Sequence, residues 1–312
     1  MTPTRRLKHP WLVAVWPGAG HVALSAGYYL LAKLGMHQLA EFSSNGLFDV
    51  EHVEVKAGRI QPTQLPRNRF FVWQDPAEQR DIVVFIGEAQ PPLGKYAFCE
   101  KLIDYARDLG VEQIFTFAAM ATQMHPKHKS QVYAAATEDP LLQQLQEEKW
   151  NLELLQEGHI GGLNGVLLGA AADKGMPGVC LLGEMPQIFA QLPFPKASLA
   201  VLKAFTGLAD MQIDFTELAQ QAEAVEHRMG EFLANMEQEL AHRAEQQHVE
   251  ESSFAPLDED SLDEESRQHI EALFRAASKD RSKAYELKNE LDRLEVFAEY
   301  EDRFLDLFKQ NG

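Results

Sequence analysis

The segment Asp81-Ile-Val-Val-Phe-Ile86 constrains the fold of this chain more than any other part of the sequence. Its unbroken apolar run is typical of a strand in a sheet that is covered on both faces, because half-exposed strands alternate apolar and polar residues. Further runs of strand length lie at 11–16, 52–55, 69–73, 111–117, 131–136 and 179–182, with segments of helical composition between several of them. Strands that alternate with helices predict an α/β domain with a mostly parallel sheet packed on both faces.

The character of the sequence changes near residue 205, which predicts an α/β core domain at 1–206 and an acidic helical extension at 207–312. Apolar residues recur at steps of three and four from 215 to 240, as in an amphipathic helix. The stretch 250–265 holds eight acidic and no basic residues, so a solvated linker is predicted near 247–265. A second apolar stripe follows at 287–307. It can pack within the chain or form a coiled coil between subunits.

The formal net charge of −18 argues against nucleic acid and anionic membranes as partners, since both are bound through clustered Lys and Arg side chains. The two cysteines stand in no recognisable motif, which favours a reducing compartment over a disulfide framework. No signal-type apolar segment and no run of 18 apolar residues occurs in the sequence. We therefore expect a soluble, cytoplasmic protein.

Glycines and polar residues follow several predicted strands, in the motifs Pro17-Gly-Ala-Gly-His21, Gly87-Glu-Ala-Gln-Pro-Pro92, Gly161-Gly-Leu-Asn-Gly165 and Gly183-Glu-Met-Pro186. In a parallel sheet the loops at the carboxyl ends of the strands meet in a crevice, the usual ligand site of open α/β sheets. The candidate ligand-binding residues of this crevice are Gly18, Gly20, His21, Glu88, Gln90, Gly161, Asn164 and Glu184.

No catalytic residues, metal or cofactor are predicted for this crevice. The segment from Gly18 to Ala23 fits the G-x-G-x-x-A dinucleotide fingerprint, but no acidic residue clearly ends the second strand, and a tight turn is the favoured interpretation. Glu88 and Glu184 can form a carboxylate pair, or each can bind N–H groups of a neighbouring loop. His125 and His128 have no further clustered ligands, which favours a surface loop over a metal site.

The same loops resemble the signatures of the proteasome assembly chaperone 2 family. They occur in the family's order, as Trp16-Pro-Gly-Ala-Gly-His-Val22, Asp81-Ile-Val-Val-Phe-Ile-Gly-Glu-Ala-Gln-Pro91, Gly158-His-Ile-Gly-Gly-Leu-Asn-Gly165 and Cys180-Leu-Leu-Gly-Glu184. The resemblance implies a three-layer αβα sandwich similar to that of the purine nucleoside phosphorylases. Eukaryotic members are assembly chaperones for proteasome α-subunits, and archaeal relatives bind proteasomes. The acidic helical C-terminal part resembles that of bacterial members.

We therefore expect a non-catalytic protein-binding or assembly-chaperone-like protein with a protein partner still to be identified. We also expect a homo-oligomer, because the apolar stripes of the extension offer more surface than a small appendage can bury by itself. The alternative is an enzyme or sensor for a nucleoside- or nucleotide-type small molecule in the strand-end crevice. The sequence contains no acid–base or nucleophile set that favours this alternative.

Overall fold

The structure, a computed structural model, describes residues 6–43, 46–49, 53, 55–61, 65–246, 264–294 and 296–309. A mixed sheet of eight strands forms the centre of these described residues. Its strands are β1 Trp11–Val15, β2 His37–Phe42, β5 Asn68–Trp73, β6 Ile82–Gly87, β7 Gln113–Thr122, β8 Val132–Ala136, β9 Glu153–Leu154 and β10 Gly178–Pro186. They lie side by side in the order β2-β5-β6-β1-β7-β10-β8-β9. A separate hairpin consists of β3 Val55–Lys56 and β4 Arg59–Ile60.

The middle of the sheet is parallel, as the sequence predicts, but its flanks are not. Strands β6, β1, β7 and β10 run in the same direction. Strand β5 is antiparallel to β6 and to β2, and β8 is antiparallel to β10. Strands β8 and β9 are parallel to each other, so four of the seven strand pairings in the described sheet are parallel, and the prediction fails only where β5 and β8 reverse direction. Only eight residues separate Trp73 from Ile82, which is too few for the crossover that a parallel pair requires.

Helices cover both faces of the sheet and complete the predicted three-layer α/β arrangement. Helices α2 and α4 bury their apolar sides on one face, together with Phe70 and Phe85 of the sheet. Helices α1 and α5 pack on the other face with Val13 and Phe115. The bounds are α1 Val22–Lys33, α2 Lys95–Asp108, α3 Asp139–Leu145, α4 Gly162–Asp173, α5 Pro195–Leu208, α6 Thr216–Gln246, α7 Glu264–Lys279, α8 Ala284–Arg293 and α9 Phe297–Asp306.

The C-terminal helices lie against the α1 side of the α/β core. Tyr29 of α1 stacks on Phe215 and meets Tyr285 of α8 edge-on, with ring centroids 5.9 and 4.5 Å apart. Phe308 follows α9; its ring lies 6.1 Å from that of Phe71 in β5, and its carbonyl accepts a hydrogen bond from the Gln38 amide of β2. The helical extension therefore shares a hydrophobic core with the sheet.

The amphipathic pattern at 215–240 corresponds to α6, and the stripe at 287–307 is divided between α8 and α9. Leu287, Leu291 and Phe304 of this stripe are fully buried within the chain, which supports intramolecular packing over a coiled coil. The predicted linker near 247–265 lies outside the described residues up to 263, and α7 begins at Glu264. The domain boundary at 206 stays a prediction. Within the described parts of the chain, no helix has the length and apolar character that a bilayer crossing requires.

Candidate functional site

The loop after β1 is held in place by the segment that connects β10 to α5. The Gly20 amide donates to the Ala190 carbonyl at 2.8 Å, and the Phe194 amide donates to the Gly20 carbonyl at 2.9 Å. Gly20 has a φ of +62°, and a Cβ there would lie 2.5 Å from the sulfur of the buried Met185. Gly18 has an extended backbone, with no atom within 4 Å of an added Cβ. The backbone conformation at Gly20 therefore favours glycine, whereas the position of Gly18 can accept a side chain.

Alanine substitutions should separate these two glycines. Gly20→Ala should lower the free energy of unfolding by about 1–2 kcal/mol, because an L-residue in the left-handed region is strained. Met185 must also move. Gly18→Ala is the matched control in the same loop and should stay within about 0.5 kcal/mol of wild type. Urea denaturation measures both, and equal losses for the two variants would contradict the strain at Gly20.

Gln90 joins the first loop to the N-terminus of α4. Its side-chain amide donates to the Pro17 carbonyl at 2.9 Å, and its Oε1 accepts from the Leu163 amide at 3.0 Å. Gly162 has a φ of +67°, a left-handed conformation that favours glycine, and a Cβ there would lie 2.8 Å from that Oε1. The first loop, Gln90 and Gly161 at the start of α4 are therefore brought together as expected from the topology.

Asn164, in the first turn of α4, is only 6% exposed. Its backbone carbonyl accepts a hydrogen bond from the Thr116 hydroxyl of β7 at 3.2 Å. Its side-chain Oδ1 is buried, and no described residue donates a hydrogen bond to it. The backbone of Asn164 thus binds α4 to the sheet, while its side-chain oxygen accepts no hydrogen bond from the described residues.

Glu88 binds the start of β5. Its carboxylate accepts from the Arg67 amide at 2.7 Å and from the Arg69 guanidinium at 2.5 Å, and 13% of the side chain is exposed. Burial raises the pKa of Glu88 to about 7, although the Arg67 N–H group and the Arg69 charge lower it. Glu301 and Asp302 of α9 raise this pKa further. Glu88 therefore takes up a proton more readily than an ordinary glutamate.

Glu184 lies on β10, so that strands β1 and β7 separate it from Glu88. Its carboxylate accepts from the Thr122 hydroxyl at 2.8 Å and from the Gln131 amide at 3.4 Å. The two glutamates do not form a carboxylate pair. Each binds an N–H group of a neighbouring loop.

His21 directly precedes α1 as its N-cap residue and has a φ of +50°. Partial burial and then the charge of Lys288 in α8 lower its pKa, while Asp292 raises it. The rings of His125 and His128 lie 5.8 Å apart. Among the described residues, no three His, Cys, Asp or Glu side chains gather as a metal-binding group.

An arginine–carboxylate cluster that was not predicted from the sequence connects Glu88 to α9. Arg69 is fully buried, and its guanidinium donates to Asp302, while Arg67 binds Glu41 and Asp302. On α9, Glu301 accepts a hydrogen bond from the hydroxyl of the buried Tyr28. We define the arginine–carboxylate cluster as Glu41, Arg67, Arg69, Glu88, Glu301, Asp302 and Asp306. The sequence does contain one indication of this cluster, because a charged residue, Arg69, begins the otherwise apolar run 69–73.

Comparisons with known proteins agree with the motifs. The profile of the PAC2 family matches residues 12–233, which extends into α6. A protein of Methanocaldococcus jannaschii is 26% identical over 241 residues, covering 77% of this chain and 88% of that protein.

Solved structures share the fold. The crystal structure of Pyrococcus furiosus PbaB, an archaeal proteasome activator, matches with a TM-score of 0.62 and 26% identity, covering 75% of this chain and 95% of that chain. A PAC2 family protein from Streptomyces avermitilis matches with a TM-score of 0.61 and 25% identity, covering 71% and 95% of the two chains. On the profile match across most of its length, this chain belongs to the PAC2 family, the proteasome assembly chaperone 2 family.

Proposed function

We propose that the protein is a non-catalytic protein-binding protein with an assembly-chaperone-like role in the cytoplasm. Membership of the PAC2 family and the structural likeness to PbaB, an archaeal proteasome activator, support a chaperone-like role. Partner retention from a cell extract, followed by mass spectrometry, should identify the partner.

The strand-end crevice gives less support to the alternative, a nucleoside-type enzyme or sensor. Glu88, Gln90 and Glu184 all bind neighbouring backbone or side-chain groups. A catalytic carboxylate needs a reacting group within hydrogen-bond reach, together with a nucleophile or a second acid–base group. The hydrogen bonds of these three side chains instead support a structural role for them.

The observation that carries the proposal is an exposed apolar patch beside the end of β10. Leu192, in the connection from β10 to α5, is 50% exposed, and Phe232 of α6 is 54% exposed. Both line one groove, and the ring of Phe232 lies 6.1 Å from that of Phe189. Apolar side chains that are exposed together in this way are typical of protein-interaction surfaces. We define the Leu192–Phe232 patch by these two residues.

The homo-oligomer expected from the sequence is part of the same proposal, but its basis changes. Of the two apolar stripes that were expected to form the interface, the one at 287–307 packs within the chain through residues such as Leu287, Leu291 and Phe304. The stripe of α6 keeps Phe232 exposed, so the Leu192–Phe232 patch is the candidate for an interface between copies.

Charges in this patch should abolish partner binding. We expect tagged wild-type protein to retain a partner at near-stoichiometric ratio from an extract of its own cells, and the double variant Leu192→Glu/Phe232→Glu to lose it at least tenfold. Both side chains are half exposed, so the variant should keep its fold, which circular dichroism checks. The matched control is Val55→Glu/Ile60→Glu, because these residues are 59% and 72% exposed on the β3–β4 hairpin.

The control variant should retain the partner as wild type does. Equal retention by the Leu192→Glu/Phe232→Glu variant would contradict the role of the patch. A wild type that retains no partner, but whose melting temperature rises with a nucleoside or nucleotide, would favour the small-molecule alternative. Quantitative mass spectrometry of the eluates and a thermal-shift screen provide the two readouts.

A further inference from the structure

A groove of about 640 Å³ lies between α6, α8 and the connection from β10 to α5. Its volume falls in the range of ligand-binding clefts, about 300–1,000 Å³. The lining is mainly apolar and comes from three separate parts of the chain: the connection from β10 to α5, helix α6 and helix α8. None of the candidate residues of the strand-end crevice lines this groove.

One positive charge at the groove has no counter-ion. Arg293 binds Glu290 through two hydrogen bonds of 2.8 and 2.7 Å, and Asp292 accepts from Lys288 at 2.5 Å. Arg228 is exposed at the groove, and within the described parts of the chain its guanidinium has no hydrogen-bond or ion-pair partner. In a protein of net charge −18, an unpaired guanidinium beside an apolar surface is complementary to a carboxylate.

Gln221 and Asn289 add polar side chains to the lining of the groove. Gln221 accepts a hydrogen bond from the Tyr285 hydroxyl, and the Oδ1 of Asn289 is enclosed by protein atoms, so neither oxygen is presented to a ligand. Recognition at this groove therefore depends on its apolar surface and on the charge of Arg228. A polypeptide segment supplies apolar side chains and a carboxylate together.

We propose that this groove binds an apolar segment of a partner polypeptide, with an acidic side chain of that segment paired to Arg228. The inference rests on the proposed protein-binding function and names the chemistry of its partner. The acidic surface of this protein repels strongly acidic chains, so the segment carries few carboxylates and is mainly apolar. The exposed Leu192–Phe232 patch is the rim over which such a segment enters.

The experiment uses an array of acetylated and amidated fluorescent octapeptides. Each carries three leucine or phenylalanine residues and one glutamate, and each has a twin in which glutamine replaces the glutamate. Fluorescence polarisation should show that wild type binds the best glutamate peptides about tenfold more tightly than their twins, as expected for one charge-assisted hydrogen bond. Arg228→Gln should abolish that difference, and Leu192→Glu should abolish the binding of both twins.

Arg59→Gln, on the exposed β3–β4 hairpin, is the matched control and should behave as wild type. Failure of all peptides to bind wild type, or equal affinity for the twins, would overturn the inference. Displacement of a bound peptide by dodecanoate alone would assign the groove to a small amphiphile. Self-association of wild type that Arg228→Gln abolishes would assign it to a second copy of the chain. Either of these two results would overturn the inference about the groove without contradicting the proposed function, because partner retention from a cell extract is measured separately.

Discussion

Replacing Arg69 by methionine should lower the free energy of unfolding by about 3–5 kcal/mol at pH 8, the usual cost of removing one partner from a buried ion pair. The side chain of Arg69 is fully buried, and its guanidinium binds Glu88 and Asp302. Methionine fills a similar volume but leaves the carboxylate of Glu88, 13% exposed, without its cation. The variant therefore tests whether the arginine–carboxylate cluster stabilises the fold through charge.

Arg67→Met is the matched control for this prediction. The side chain of Arg67 is 25% exposed, and its partners Glu41 and Asp302 are 44% and 43% exposed. Ion pairs this close to solvent contribute little, so we expect a loss of about 1 kcal/mol or less. Urea denaturation at pH 8 measures both variants. Equal losses for Arg67→Met and Arg69→Met would contradict the importance of burial.

A double variant separates charge from packing at Arg69. If the cost arises from the unpaired carboxylate, Glu88→Gln should restore part of the stability that Arg69→Met loses, because the amide carries no charge to bury. If the loss comes from packing alone, the two substitutions should simply add. Asp302 of α9 also binds Arg69 and remains in all four proteins of the cycle, so the coupling energy refers to the pair Arg69–Glu88.

The centre of the fold could be predicted from the sequence because its strands are buried on both faces. Ile82–Gly87 and Trp11–Val15 are apolar at nearly every position, and this pattern distinguishes them from amphipathic helices. Strand β2 was missed. His37–Phe42 is half-buried along most of its length and has no clear alternation, because it is an edge strand that pairs only with β5. Such a strand forms because it pairs with a distant segment, and the pattern of its own residues does not indicate that pairing.

The candidate site could be predicted in position but not in its contacts. The hydrogen bonds of Gln90 bring the first loop and the start of α4 together, as expected for loops at the carboxyl ends of parallel strands. Ligand binding by this crevice stays a prediction. The partners of Glu88 depend on β5, whose antiparallel pairing with β6 brings Arg67 and Arg69 to the same edge. The contribution of α9 could not be predicted from local sequence patterns, because Asp302 lies 233 positions after Arg69 in the chain.

The second large effect is a pH dependence of stability that arises from Glu88. Its pKa is about 7 in the folded protein, chiefly because of burial, and near the ordinary glutamate value in the unfolded chain. A group whose pKa is raised by folding stabilises the folded state fully below its unfolded pKa, and this contribution is lost as the pH rises through the folded pKa. The difference in unfolding free energy between wild type and Glu88→Gln should therefore fall by about 2–3 kcal/mol from pH 5 to pH 8.

The comparison with Glu88→Gln is necessary because histidines titrate in the same range. Burial lowers the pKa of His21 and of His37, so their contributions grow as the pH rises through the ordinary histidine value, opposite in sign to that of Glu88. Both histidines remain in the variant and cancel in the difference. Glu301 of α9 also has a pKa raised by burial, so Glu88→Gln should retain a shallow fall of the same sign.

Urea denaturation at half-unit intervals from pH 5 to pH 8 measures this difference directly. If the difference stayed constant over that range, Glu88 would be ionised throughout, and its charge would be fully balanced by Arg69 and the Arg67 amide. If it fell as predicted, the folded protein would bind a proton at the strand end where α9 meets the sheet.

Because Asp302 binds the same Arg69, loss of this proton near neutral pH adds negative charge beside α9 and should weaken the attachment of α9 to the sheet. Amide hydrogen exchange in α9 should then be faster at pH 8 than at pH 6, after correction for intrinsic rates, and Glu88→Gln should reduce this change.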